Sequence, residues 1–153
     1  GSLASTDNDP AQLWIGYHSN AWNPSNGTLN MNGGRIDVRW AMNVGGGASN
    51  TIGTLNLNGG IIHLWQALNV ASNSTINISG DGILALWNKW GNFNTIESLQ
   101  TLINNGRIVG SGGQQIIITP FDNLDGGTGY ALSVPEPATM LVLALGLGFI
   151  RRK

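Results

Sequence analysis

Leu29 and Met31 alternate with Asn30 and Asn32, Ile36 and Val38 alternate with Asp37 and Arg39, and Met42 and Val44 flank Asn43. A spacing of two sends alternate side chains to opposite faces of an extended chain, whereas a helix would place apolar residues three and four apart. The alternation then returns, since GTLNMNGGRIDVRWAMNV from Gly27 to Val44 is followed by GTLNLNGGIIHLWQALNV from Gly53 to Val70, 26 residues on. A shorter copy, STINISGDGILALW, starts at Ser74, and AQLWIG from Ala11 to Gly16 preserves the end of an earlier one. Each copy is predicted as three short strands, with glycine pairs such as Gly33-Gly34 supplying a corner.

Superposing the copies gives columns: Leu29, Leu55 and Ile76; Met31, Leu57 and Ile78; Ile36 and Ile62; Val38 and Leu64; Leu13, Met42 and Leu68; Ile15, Val44 and Val70. One copy cannot bury its own apolar face but stacked copies can, at about 4.8 Å per layer. The predicted fold is therefore all-β, a parallel β-solenoid (β-helix) of about three to four coils over residues 11–90. Polar positions recur as asparagine: Asn30, Asn56 and Asn77; Asn32 and Asn58; Asn43 and Asn69. Stacked amides suit ladders along the coil axis. For Asn32 and Asn58, beside the glycines, simple tolerance of turn geometry is an equal reading.

Outside the repeats the pattern changes. Residues 1–10 are polar and read as a loop or truncated edge, and the chain is expected to be the C-terminal part of a longer protein. Asn23-Pro24 and Asn26-Gly27 mark a projecting loop. In 91–120, Asn94 followed by Glu97 resembles a capping box opening a short helix from Thr95 to Ile103, with Ile96, Leu99, Leu102 and Ile103 on one face and Asn105-Gly106 ending it. That helix is predicted to cap the array, followed by strands at Arg107–Val109 and Gln114–Thr119. Residues 121–133, with Asp125-Gly126-Gly127, read as a flexible linker.

Val134-Pro135-Glu136-Pro137 is followed by the apolar run Met140 to Ile150 and then by Arg151-Arg152-Lys153. As a helix, that run spans about 17 Å, short of the ~30 Å hydrocarbon core. Its basic end would stay on the cytoplasmic side. Residues 134–153 resemble the PEP-CTERM sorting signal of exported bacterial proteins in motif, hydrophobic helix and terminal cations. The resemblance implies an exosortase as partner, transient anchoring in the inner membrane of a Gram-negative-type bacterium, cleavage near the motif, and delivery to the cell surface or its polysaccharide matrix. The body, through its GTLxLNGG-type copies, is similar to autotransporter-associated β-strand repeats.

Composition narrows the chemistry. Charged residues make up 10% of the chain and the formal net charge is −1, which favours neither nucleic acid nor an anionic surface. With no cysteine there is neither a disulfide framework nor a thiolate site. His18 and His63 are too few to argue a metal, and Asp122 and Asp125 lack the further oxygen ligands calcium needs. No cofactor is expected. The 6 tryptophans raise carbohydrate binding, with Trp65 in the outward column of Arg39 and His63 in that of Asp37. The same trio of Asp37, Arg39 and His63 is the sole candidate catalytic group, and it lacks the paired carboxylates of a glycosidase. The expected function is thus a non-catalytic, structural or adhesive surface protein. The alternatives are a carbohydrate-binding solenoid or the C-terminal part of a polysaccharide-degrading enzyme.

Overall fold

Alternation becomes extended chain in every copy. The computed structural model describes residues 2–3, 12–16, 25–47, 50–88, 94–122 and 128–135. Its strands are β1 (Ser2–Leu3), β2 (Leu13–Ile15), β3 (Asn26–Val38), β4 (Met42–Val44), β5 (Ile52–Leu64), β6 (Leu68–Val70), β7 (Thr75–Ile78) and β8 (Ile83–Leu86). A helix, α1 (Ile96–Asn104), precedes β9 (Ile108–Gly110), β10 (Ile117–Asp122) and β11 (Thr128–Ser133).

Successive copies pair in parallel and in register. β3 sets Leu29 beside Leu55, Met31 beside Leu57, Ile36 beside Ile62 and Val38 beside Leu64 of β5. β5 continues the columns to Ile76 and Ile78 of β7 and to Leu84 and Leu86 of β8. A separate three-stranded sheet, β2-β4-β6, stacks Leu13, Met42 and Leu68, and then Ile15, Val44 and Val70. One apolar core joins the two sheets, and Leu55, Leu57, Ile62, Leu64, Ile76 and Ile78 have no exposed surface. Burying each of these side chains contributes about 1.5–3 kcal/mol. The sheets meet at a corner where a side chain on Gly53 would run into the Gly45 amide and the Ile15 carbonyl. Only glycine admits that approach.

The expectation of a plain parallel β-solenoid is overturned. The large sheet, in order β1-β3-β5-β8-β11-β10 with β7 and β9 branching from it, is mixed and curls into a half-barrel. β11 lies antiparallel to β8, with Leu132 beside Leu84, and β10 lies antiparallel to β11. The repeat ends at the third copy, so the edge of β8 is met by non-repeated chain running the other way. Residues 121–133, expected as a linker, supply this pairing: Phe121 and Asp122 close β10, and Thr128–Ser133 is β11. Glycines disguised the strand, whose Leu132 is fully buried and is followed two residues later by buried Val134.

Two smaller corrections concern local structure. β3 and β5 continue unbroken through Gly33-Gly34 and Gly59-Gly60 as 13-residue strands, with positive φ at Gly34 and Gly60 and a register shift between Met31 and Arg35. The glycine pair is a bulge, as glycine within a strand often is. Only in the third copy does it open into a turn, closed by Gly82 N–H donating to the Ser79 carbonyl at 3.0 Å, which divides β7 from β8. Within the polar first ten residues, Ser2–Leu3 forms a strand beside Arg35 and Ile36 of β3.

The helix and its cap both lie one residue later than predicted. Thr95 is the N-cap, its hydroxyl accepting from the Ser98 amide at 3.2 Å. Leu99 is buried and Leu102 and Ile103 lean on the core, while Ile96 stays 41% exposed. Asn94 has a different task. Its Oδ1 accepts from Leu68 N–H at 3.1 Å and its Nδ2 donates to the Gln66 carbonyl at 2.5 Å, closing the edge of β6 as a further strand would. Asn88 buttresses it, donating to the Asn94 carbonyl at 2.7 Å and accepting its N–H at 3.0 Å.

Amide ladders run along the outer faces. Asn56 donates to Asn30 and Asn77 donates to Asn56, each at 2.7 Å. Asn58 donates to Asn32 at 2.9 Å, and Ser79 continues that row to Asn58. In the small sheet, Asn69 donates to Asn43 at 2.9 Å and Asn43 to Gln12 at 3.4 Å. Both Asn32 and Asn58 are therefore ladder residues. Leu55→Ala should lower the unfolding free energy by about 2–5 kcal/mol, and Asn56→Ala, on the solvent side of the same strand, by about 1–2 kcal/mol. Urea unfolding of the two variants checks this, and equal losses would contradict it.

Candidate functional site

Strand parity places Arg35, Asp37 and Arg39 on one face, and register sets Asp37 beside His63. Past the strand ends the same register holds, because Trp65 N–H donates to the Val38 carbonyl at 3.0 Å and Trp87 N–H to the Leu64 carbonyl at 2.7 Å. Arg39, Trp65 and Trp87 thus form a column next to the one carrying Asp37 and His63.

Within this group, Arg35 grips Asp37 with both arms, Nη2 to Oδ1 at 2.7 Å and Nε to Oδ2 at 2.8 Å. His63 Nδ1 lies 3.1 Å from Asp37 Oδ1 and 3.1 Å from Arg35 Nη2. A protonated Nδ1 donates to the carboxylate and a bare Nδ1 accepts from the guanidinium, so the tautomer selects the partner. The Arg35 hydrogen bonds hold the Asp37 carboxyl below the usual carboxylate range. Burial pushes the His63 imidazole below its ordinary value, against the pull of Asp37 in the other direction. The aromatic rings close the group. His63 packs edge-on to Trp87 with centroids 4.6 Å apart, Trp65 tilts against Trp87 at 5.1 Å, and the Arg39 guanidinium lies 4.9 Å from the Trp65 ring centre.

All four residues singled out in the sequence, Asp37, Arg39, His63 and Trp65, come together here. Arg35 and Trp87 were missed. Both were legible, Arg35 from sharing the parity of Asp37 and Trp87 from aligning with Trp65 across copies. The assembled chemistry is that of a bound, charge-paired surface. One carboxylate is present, it is engaged by a guanidinium, and among the described residues no three His, Cys, Asp or Glu side chains gather where a metal ion could be held.

Because the native state resists protonating His63, stability falls as pH drops from about 6.5 through the folded value, where the unfolded chain takes up a proton the folded one does not. A second loss follows at lower pH, as Asp37 titrates below its unfolded value of about 3.8. The urea midpoint should decline between pH 7 and pH 5, and His63→Gln should flatten that first decline. A parent protein with a constant midpoint over this interval would contradict the assignment.

At the other end of the body, the tail motif begins inside the fold. Val134 is 5% exposed and belongs to the core, and Gln114 Nε2 reaches the Pro135 carbonyl at 3.5 Å. Glu136, Pro137, the run from Met140 to Ile150, and Arg151, Arg152 and Lys153 lie outside the described residues. Among the described residues no helix is long and apolar enough to cross a membrane.

No characterised protein and no solved structure matches the chain. Residues 133–153 match the PEP-CTERM protein-sorting motif. That motif makes this an exported protein, sorted by an exosortase and transiently anchored at the membrane.

Proposed function

We propose that the chain is a non-catalytic structural or adhesive protein, whose β body is the cargo that an exosortase releases to the cell surface or extracellular matrix. The observation that carries this reading is the junction at Ser133 and Val134. β11 ends at Ser133 and the next residue is core, so the sorting motif issues from the folded body without a spacer. Supporting it, the acid-base groups of the candidate cluster are tied to one another: Asp37 is taken up by Arg35, and His63 is covered by Asp37 and Trp87. Few charges and rows of hydrogen-bonded amides suit a durable surface more than a reaction centre.

Sugar binding at Asp37, Arg39, His63 and Trp65 is the second reading, favoured by their clustering on one face. The stacking weighs against it, because the Trp65 ring already has Arg39 over it and Trp87 beside it.

Cleavage beyond Pro135 leaves the core intact, whereas a cut before Val134 would remove a buried side chain. Mass spectrometry of the surface-exposed form in the native host should show a C-terminus between Pro135 and Met140. Surface protein that still carries Arg151, Arg152 and Lys153 would refute processing and favour a plain short anchor.

A further inference from the structure

The outer face of the small sheet takes no part in the sorting motif or in the Arg35 cluster. Register there aligns Trp14, Asn43 and Asn69 in one outward column across β2, β4 and β6. Trp14 and Trp40 are 45% and 44% exposed, against a core in which the large aliphatic side chains have almost no surface. Beside Trp40 runs an open groove of about 640 Å³, lined also by Gln12, Asn43, Gln66 and Asn69. Among the described residues its lining contains no charged side chain. A second groove of about 530 Å³, reaching Trp14, continues from it across the shared Asn43 and Asn69.

We infer that this groove is a binding site for a neutral polysaccharide chain. A sugar ring has an apolar C–H face and an edge of hydroxyls. An exposed indole offers a flat apolar surface with little conformational freedom to lose, suited to the first. Amide groups donate and accept at once, as hydroxyls do, and suit the second. Each amide of the row uses one N–H or one lone pair on each neighbour, from Asn69 to Asn43 and from Asn43 to Gln12. An amide group carries two N–H bonds and two lone pairs, so Gln12 and Asn69, the exposed members of the row, retain capacity for a ligand, while Asn43 is buried between them. Around Trp40 the described lining offers an anionic sugar no cationic partner; Arg107 lines only the second groove, and its guanidinium is engaged by the Val70 carbonyl. A volume in the hundreds of Å³ with an aromatic wall and few polar groups is typical of small-ligand sites.

The inference rests on neither the tail nor the Trp65 face, and its failure would leave the sorting reading as it stands. The test is titration of the full chain with cellohexaose and with maltohexaose, alongside an oligogalacturonate and a proline-rich peptide, read by calorimetry and by NMR of the indole N–H and side-chain amide signals. One or both neutral oligosaccharides should bind and shift the Trp40 indole and Asn69 amide signals. Trp40→Ala should weaken binding about tenfold or more, by analogy with the loss of an aromatic stacking platform elsewhere. Trp40→Tyr should stay within about threefold, since it keeps a platform. Trp65→Ala should bind as the parent does, and Asn69→Ala supplies a second lesion should the Trp40 variants fold poorly by circular dichroism. No binding of either neutral sugar, binding abolished by Trp65→Ala and untouched by Trp40→Ala, or binding of the peptide or the acidic sugar alone would overturn the proposal.

Discussion

Placing like over like governs this molecule. Because β3 and β5 pair in parallel without a register offset over Asn26 to Met31, leucine meets leucine on the inner face and asparagine meets asparagine on the outer one. A slip of one residue would turn the buried columns outward and carry the amides into the core, where each polar group without a partner costs free energy on the order of a kcal/mol or more. The apolar columns and the amide ladders therefore enforce the same register from opposite faces. The small sheet is held to it as well, since the corner at Gly45 and Gly53 leaves no room for a shifted backbone.

Repetition creates an ending problem, since each new copy presents another open edge. The edges here are closed by different means. At β8 the answer is another strand, β11, running in the opposite direction. At β7 it is β9, delivered in parallel by the turn after α1. At β6 side chains do the work of backbone: Asn94 meets Leu68 N–H and the Gln66 carbonyl, and Arg107 Nη1 donates to the Val70 carbonyl at 3.0 Å. Covering or pairing edges in this way protects a sheet from templating a second chain.

What the sequence disclosed follows from where it repeats. The columns from Leu29 to Ile76 and from Leu13 to Leu68 were legible, because a period of two inside a period of 26 leaves little freedom in pairing. So was the gathering of Asp37 and His63, which the register alone brings together. The chain after Asn94 repeats nothing, and there local signals located α1, β9 and the start of β10 but misled on two points. Glycines near Gly129 suggested a linker where a strand lies, and Glu97 suggested a cap that Thr95 provides instead. The role of Asn94 at the β6 edge depends on how a loop delivers it, which no periodicity encodes. The tail was readable for a different reason, as an ordered set of motif, apolar run and cations that needs no fold to be recognised.

The burial of Val134 next to β11 has a mechanical side. Since β11 lies between β8 and β10, the tail is fastened to an interior strand of the sheet. A pull along β11 would act at right angles to the hydrogen bonds that flank it on both sides. Such bonds are loaded together in shear, not opened one at a time as at a peeled edge. A chain pulled by its C-terminus is thus held at a strand bonded on both sides, not at a free edge.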